Sequence, residues 1–139
     1  MDRYVVGFCI ETRSNEVILI QKKKPDWQRG KLNGVGGKIN PNESDYLAMV
    51  REYHEETGVV EPDWDHFLTV NFGGQAEVVF FVARCDISMA NTVTDEKIIR
   101  AHVEDVLVNQ VPGHQLIPNI PWLLAMALSG DKGVMTQQS

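Results

Sequence analysis

Three glutamates, Glu52, Glu55 and Glu56, crowd the end of one short segment, Asp45–Thr57, and limit what that segment can be. Ser44 offers an N-cap hydroxyl and Gly58 a residue that accepts the left-handed conformation closing a helix, so Asp45–Thr57 reads as one helix. On a wheel turned by about 100° per residue, Tyr46, Val50, Tyr53 and Thr57 fall on one side, expected to face the core. The glutamates gather opposite, one turn above the small Ala48, away from the packing face. Like charges at i,i+3 and i,i+4 repel by roughly 0.2–0.5 kcal/mol per pair. The negative end of the helix dipole also prefers cations to carboxylates. A divalent cation turns both penalties into attraction, and ligands that are all oxygen select a hard ion, Mg²⁺ first and Mn²⁺ second. The plainer alternative is a solvated acidic face, since glutamate is a good helix former.

The surroundings of that helix set the fold class. Just before it runs Leu32-Asn33-Gly34-Val35-Gly36-Gly37-Lys38, a stretch that lets backbone approach a ligand or metal without side-chain clashes. Tyr4–Ile10 and Glu16–Gln21 read as strands on either side of the turn-prone Arg13-Ser14-Asn15, and Lys22–Lys31 reads as a polar loop. Phe67–Phe72 and Glu77–Cys85 resemble two strands of a hairpin around Gly73-Gly74, and His102–Val108 a further strand. Pro112, Pro118 and Pro121 punctuate a loop ahead of an apolar helix, Trp122–Leu128. Strands and helices in this order imply an α/β or α+β sandwich. With 139 residues and no repeat, low-complexity tract or linker, a single domain over residues 1–139 is expected.

Charge narrows the function. Thirteen Lys and Arg against nineteen Asp and Glu give a net charge of −6, which argues against a nucleic-acid polymer as partner. A small phosphorylated ligand stays compatible, because a divalent ion and a few lysines supply local positive charge. No apolar run approaches the roughly 20 residues that span a bilayer, so no membrane partner is expected. The start, Met1-Asp2-Arg3-Tyr4, has no signal-peptide pattern. Cys9 and Cys85 each lie in an apolar run and read as buried free thiols, which fits a cytoplasmic location. The four histidines, His54, His66, His102 and His114, have no partner at ligand spacing and read as structural or surface residues.

From Gly37 to Val59 the sequence is Gly37-Lys38-Ile39-Asn40-Pro41-Asn42-Glu43, seven residues, then Arg51-Glu52-Tyr53-His54-Glu55-Glu56-Thr57-Gly58-Val59. This resembles the Nudix box, G-x5-E-x7-R-E-U-x-E-E-x-G-U, with every fixed letter at its spacing. Tyr53 is the one departure, aromatic where the family usually carries an aliphatic residue. The family often has Gly before its first Glu; here Asn42 stands there, another residue that tolerates left-handed geometry. The resemblance implies the Nudix fold, a mixed β-sheet sandwiched between helices, with the box forming a loop–helix–loop. It implies Glu52 and Glu56 as principal metal ligands, Glu55 as a further or water-mediated one, and the carbonyl of Gly36 facing the metal. Glu43 and Arg51 would form a structural ion pair, and Gly37 and Gly58 the turns of the motif. The catalytic base would be a box glutamate or an acidic residue of a later loop. Glu96 stands where several relatives carry the latter, and is otherwise an ordinary loop glutamate.

Leu32–Lys38 is also similar to the W-N-G-F-G-G-K stretch of MutT-type enzymes, which act on purine nucleoside triphosphates, oxidised ones included. By that likeness Asn33 either reads a base edge or is a turn asparagine. Leu32 replaces the usual Trp, so the base pocket is expected to differ. Asn119 lies near the position where such relatives read the base. Lys23 aligns with a family position near the phosphates, though a lysine run also suits a solvated loop. Lys38 joins these as a candidate substrate contact, and Trp27, Phe72 and Trp122 could stack on a base. The implied reaction is metal-dependent hydrolysis of a nucleoside triphosphate to monophosphate and pyrophosphate, by a monomer or homodimer. The alternatives are a pyrophosphatase of nucleoside diphosphates linked to another group, such as ADP-ribose or nucleotide sugars, and a non-catalytic nucleotide-binding module. Modules of that last kind typically lose box glutamates, and all are present here.

Overall fold

The computed structural model describes residues 1–137. The elements run β1 (Asp2–Glu11), β2 (Glu16–Gln21), a 3₁₀ turn (Asp26–Gln28), β3 (Leu32–Asn33), β4 (Val35–Lys38), α1 (Asp45–Thr57), β5 (Asp65–Phe72), β6 (Ala76–Arg84), β7 (Ile98–His102), α2 (Val103–Leu107), α3 (Ile120–Ser129) and β8 (Gly133–Gln137). One eight-stranded sheet is ordered β3-β2-β1-β6-β5-β8, with β4 added to β1 and β7 to β2. The β1–β6 and β5–β8 pairs are parallel and the rest antiparallel, so the sheet is mixed.

Strand periodicity divides the apolar side chains between two faces. Val5, Cys9, Ile18, Ile20, Val79, Phe81 and Ala83 pack with Ala48, Met49 and Tyr53 of α1. Their neighbours Phe8, Ile10, Val17, Leu19, Phe80 and Val82 pack with Val103 and Val106 of α2 and Ile120, Leu123 and Leu124 of α3. The sheet is thus a layer between α1 on one side and α2 with α3 on the other. Burying one such side chain, fully inaccessible Met49 for example, contributes about 1.5–3 kcal/mol. Among the described residues no helix is long and apolar enough to cross a membrane.

Helix α1 has the bounds expected from its caps. Ser44 Oγ accepts from Leu47 N at 3.1 Å, and Gly58 ends the helix at φ 78°, its N–H bonded to His54 O. Its buried face is the expected one at Tyr53 and Thr57 but not at Tyr46 and Val50. Ala48, Met49, Glu52, Tyr53 and Thr57 are buried, whereas Tyr46 is 40% exposed and Val50 only half-buried. The stripe is rotated toward Ala48 and Glu52, and the helix meets β4 where Gly37, lacking a Cβ, leaves room for the Glu52 carboxylate.

Other differences have equally local causes. His102–Val108 is not a strand: β7 ends at His102 and α2 follows, with Val103 and Val106 buried three residues apart and Glu104 and Asp105 in the first turn. The last helix begins two residues early, at Ile120, because Pro121 sits in a first turn that needs no backbone donor there. The glycine-rich stretch forms two short strands, and β8 was not anticipated. Cys9 and Cys85 are not free thiols. They are joined as a disulfide with Cα atoms 6.3 Å apart, Cys85 following directly on the β6 strand that runs parallel to β1. The location inferred from unpaired thiols loses that support.

Candidate active site

Gly36 and Gly37 bring β4 close to both the sheet and α1. A Cβ at Gly36 would lie 1.9 Å from Val5 O, so only glycine fits opposite β1. At Gly37 a Cβ would meet Glu52 Oε1 at 2.5 Å and its Cδ at 2.6 Å. The glycine is therefore a roof over the Glu52 carboxylate, and residue 52 is only 8% exposed. A carboxylate is placed this deep only with compensation. Here Arg51 Nη1 donates to Glu52 Oε1 at 2.9 Å. Burial nevertheless dominates and pushes the Glu52 carboxyl above its ordinary range, with Arg51 pulling it back and Glu55 adding to the rise.

Arg51 also organises the loop before the helix. Its Nε and Nη2 donate to Glu43 Oε2 and Oε1 at 2.7 and 2.9 Å, a bidentate pair, and Nη2 also reaches Lys38 O at 3.0 Å. Asn42 turns the chain there at φ 65°. The guanidinium bonds hold the Glu43 carboxyl below its usual range. Glu55 is half-exposed and 3.4 Å from Arg51 Nη1.

Glu56, on the same side of α1, is half-buried, which pushes its carboxyl up; the Thr94 hydroxyl opposes this, and Glu96 and Glu52 reinforce it. Glu96 reaches the site from the segment before β7, its Oε2 accepting Lys23 N at 2.7 Å and its Oε1 3.6 Å from Lys22 Nζ. Sequence reasoning gave no site role to Lys22 or Thr94, since nothing local marks their distant partners, Glu96 for Lys22 and Glu56, 38 residues away, for Thr94. Glu56, Asp95 and Glu96 line an open cavity of about 490 Å³ together with Lys23, Lys24 and Arg29. A cavity lined by both acids and bases suits a phosphate chain held by a cation on the carboxylates and by lysine and arginine.

Four oxygen-bearing acids, one roofed by glycine, fit a hard divalent ion. Glu52 and Glu56, one helical turn apart, could hold it, with Glu55 on the same helix, Glu96 on the loop bonded through Thr94 to Glu56, and Gly36 next to the roof. Among the described residues no three of these acids bring oxygens within 4.8 Å of one another. The one triad of potential ligand atoms that lies wholly within 4.8 Å among the described residues is elsewhere, at Cys9, Glu61 and Cys85. Its sulfurs are bonded to each other, so it offers one carboxylate and no thiolate.

The candidate substrate contacts are dispersed. Lys23 lines the cavity. Lys38 points elsewhere, 3.2 Å from Asp2. Asn33 Oδ1 accepts from Gly34 N at 2.7 Å and its amide leans on Gln28, the geometry of a turn asparagine. Asn119 lines a second cavity of about 440 Å³ with Asn109, Gln115, Ile117, Pro121 and Trp122. The two cavities are linked through the chain. The Lys22–Lys31 loop carries the cations of the first, and β3, which follows it, pairs with the 115–117 segment of the second through Leu32 N–Gln115 O (2.8 Å) and Ile117 N–Leu32 O (2.9 Å). Trp122 is 48% exposed at that second cavity, whereas Trp27 is 59% exposed on the intervening loop.

The NUDIX domain family model matches residues 1–120. A CTP pyrophosphohydrolase of Escherichia coli is 40% identical over 55 residues, a match spanning 40% of this chain and 40% of that protein. The fold is that of a mutator MutT protein from Bacillus halodurans, at a TM-score of 0.77 and 21% identity over 99% of this chain and 90% of that one. The NUDIX domain of Shewanella oneidensis NrtR, solved with ADP ribose, matches at a TM-score of 0.73 and 20% identity over 91% of this chain and 86% of that one.

Proposed function

The chain belongs to the NUDIX domain family, and from that premise we propose that residues 1–139 act as one domain hydrolysing a nucleoside triphosphate to nucleoside monophosphate and pyrophosphate. The observation that carries this reading is the Glu52 carboxylate roofed by Gly37, one helical turn from Glu56, which lines a cavity together with Asp95, Glu96, Lys23, Lys24 and Arg29. The partly matching CTP pyrophosphohydrolase supports the triphosphate class and the cleavage position.

In this reading Glu52 and Glu56 hold Mg²⁺, or Mn²⁺ in its place, with Glu55 and the Gly36 carbonyl as further ligands. The bound ion supplies charge neutralisation at the phosphate oxygens and lowers the pKa of a water. Lys23, Lys24 and Arg29 hold the phosphate chain and stabilise the charge that develops on the departing pyrophosphate. Glu96, steadied by Lys22 and the Lys23 N–H, accepts the proton of the attacking water. The water oxygen bonds to the α-phosphorus, and the bond to the oxygen bridging to the β-phosphorus breaks. The nucleoside reaches along β3 toward the second cavity, where Trp122 offers a stacking face and Asn119 an amide. Asn33, already bonded to Gly34 and Gln28, keeps a turn role.

The test is a hydrolysis screen with Mg²⁺ over canonical and oxidised nucleoside triphosphates, ADP-ribose and nucleotide sugars, with products identified. Monophosphate and pyrophosphate from a triphosphate are expected. Orthophosphate alone, or turnover of ADP-ribose only, would overturn the proposal.

A further inference from the structure

Thr94 lies in the segment joining β6 to β7, and its hydroxyl is engaged twice. Oγ1 donates to Glu56 Oε2 at 2.8 Å and accepts the backbone N–H of Glu96 at 3.1 Å. One oxygen thus ties a helix carboxylate to the loop that presents the cavity's other acids, Asp95 and Glu96. Among the described residues this is the only side-chain hydrogen bond Glu56 makes, whereas Glu52 has Arg51. Away from Thr94 the loop has further anchors. Asn91 N donates to Thr57 O at 3.0 Å, Ile98 N to Thr92 Oγ1 at 3.1 Å, and Arg100 binds the carbonyls of Ile87 and Ala90.

We propose that Thr94 is a positioning residue: its hydroxyl fixes Oε2 of Glu56, leaves Oε1 for the divalent ion, and sets Glu96 at the matching height over the cavity. This rests on the ion-binding reading above. A glutamate has several torsions, the last broad and weakly restrained, so without the bond its carboxylate spreads over orientations that cannot all ligate. Partners that orient metal ligands are typically worth 10–100-fold in affinity. Thr94→Val removes the hydroxyl and keeps the branched shape, and Thr94→Ser keeps the hydroxyl.

The experiment is titration of the full chain with Mn²⁺, free ion being read by electron paramagnetic resonance, for the unsubstituted protein, Thr94→Val, Thr94→Ala, Thr94→Ser and Glu56→Gln. Melting in EDTA identifies any variant that fails to fold. Thr94→Val and Thr94→Ala are each expected to weaken Mn²⁺ binding about tenfold, and Thr94→Ser to restore it. At saturating Mg²⁺, kcat should fall with KM little changed in the two hydroxyl-less variants. Unchanged Mn²⁺ affinity in the folded hydroxyl-less variants would overturn the proposal, as would a serine variant as weak as they are. The underlying reading fails separately: if Glu56→Gln binds Mn²⁺ as the unsubstituted protein does, the ion assignment itself is wrong. Loss in Glu56→Gln with none in Thr94→Val removes only the positioning role.

Discussion

Replacing Glu56 with glutamine keeps the side chain's length and an oxygen that can accept from Thr94, but removes the charge. In the metal-free protein Glu56 feels Glu96 and Glu52 as repulsions and Lys22 as an attraction, and it is half-buried. Relief of two like-charge contacts at roughly 0.2–0.5 kcal/mol each, less the lost attraction, leaves a gain of about 0.5 kcal/mol. For a chain of this length that raises Tm by about 2 °C in EDTA. The ion acts in the opposite sense. At a hundredfold excess over Kd it stabilises the unsubstituted protein by about 2.7 kcal/mol, roughly 10 °C. If the substitution weakens binding about a hundredfold, the same concentration gives the variant about 0.4 kcal/mol, under about 2 °C. Scanning calorimetry in EDTA and in Mg²⁺ or Mn²⁺ reads both changes. A variant that melts well below the unsubstituted protein in EDTA, yet keeps its full metal-induced rise, would refute the reasoning, because Glu56 would then be a structural carboxylate.

Gly37→Ala should displace the Glu52 carboxylate, which the new Cβ would meet at 2.5 Å. Overpacking of this kind costs about 1–3 kcal/mol, so urea unfolding in EDTA should show that loss while the Mg²⁺ concentration for half-maximal activity rises. Arg51→Lys loses the bidentate hold on Glu43 and the bond to Glu52. Because a lysine cannot reproduce the fork, a loss of about 1–3 kcal/mol is expected by chemical denaturation, and an unchanged midpoint would count against the linchpin role. The pH profile of metal-free stability has a worked sign. Burial raises Glu52 and Glu56 above 4.5 in the fold, so the folded state keeps protons that the unfolded chain has released, and this contribution declines as pH climbs through those raised values. Glu43 is lowered below 4.5, and its contribution is lost as pH drops through that lower value. Tm in EDTA should therefore fall from mildly acid toward neutral pH, and Mg²⁺ should remove the fall; a Tm in EDTA that rises over the same range would contradict it.

Much of this architecture follows from local chemistry that a sequence displays. Ser44 and Gly58 bound α1 because a cap hydroxyl and a left-handed residue act within a few positions. The period-two runs of β1 and β2 reveal a sheet covered on both sides. The orientation of α1 was hidden, since polarity points Glu52 outward and Tyr46 inward. The burial of Glu52 arises because Gly37, with no side chain, leaves room for its carboxylate beneath β4. Helix α2 escaped notice because a five-residue element carries little periodicity. Lys22, Thr94 and Glu96 converge only once β2 and β7 pair, and no neighbour of Lys22 records that distant partner. The Cys9–Cys85 disulfide is equally non-local, made adjacent by the parallel β1–β6 ladder.

The central claim is that Glu52 and Glu56 grip a divalent ion against a substrate's phosphates. Its most direct test is anomalous scattering from crystals grown with Mn²⁺ and a non-hydrolysable nucleoside triphosphate analogue. The account predicts manganese peaks bound by those two carboxylates and by phosphate oxygens. Manganese ordered elsewhere, with both side chains turned to solvent and the phosphates held by lysines alone, would contradict it.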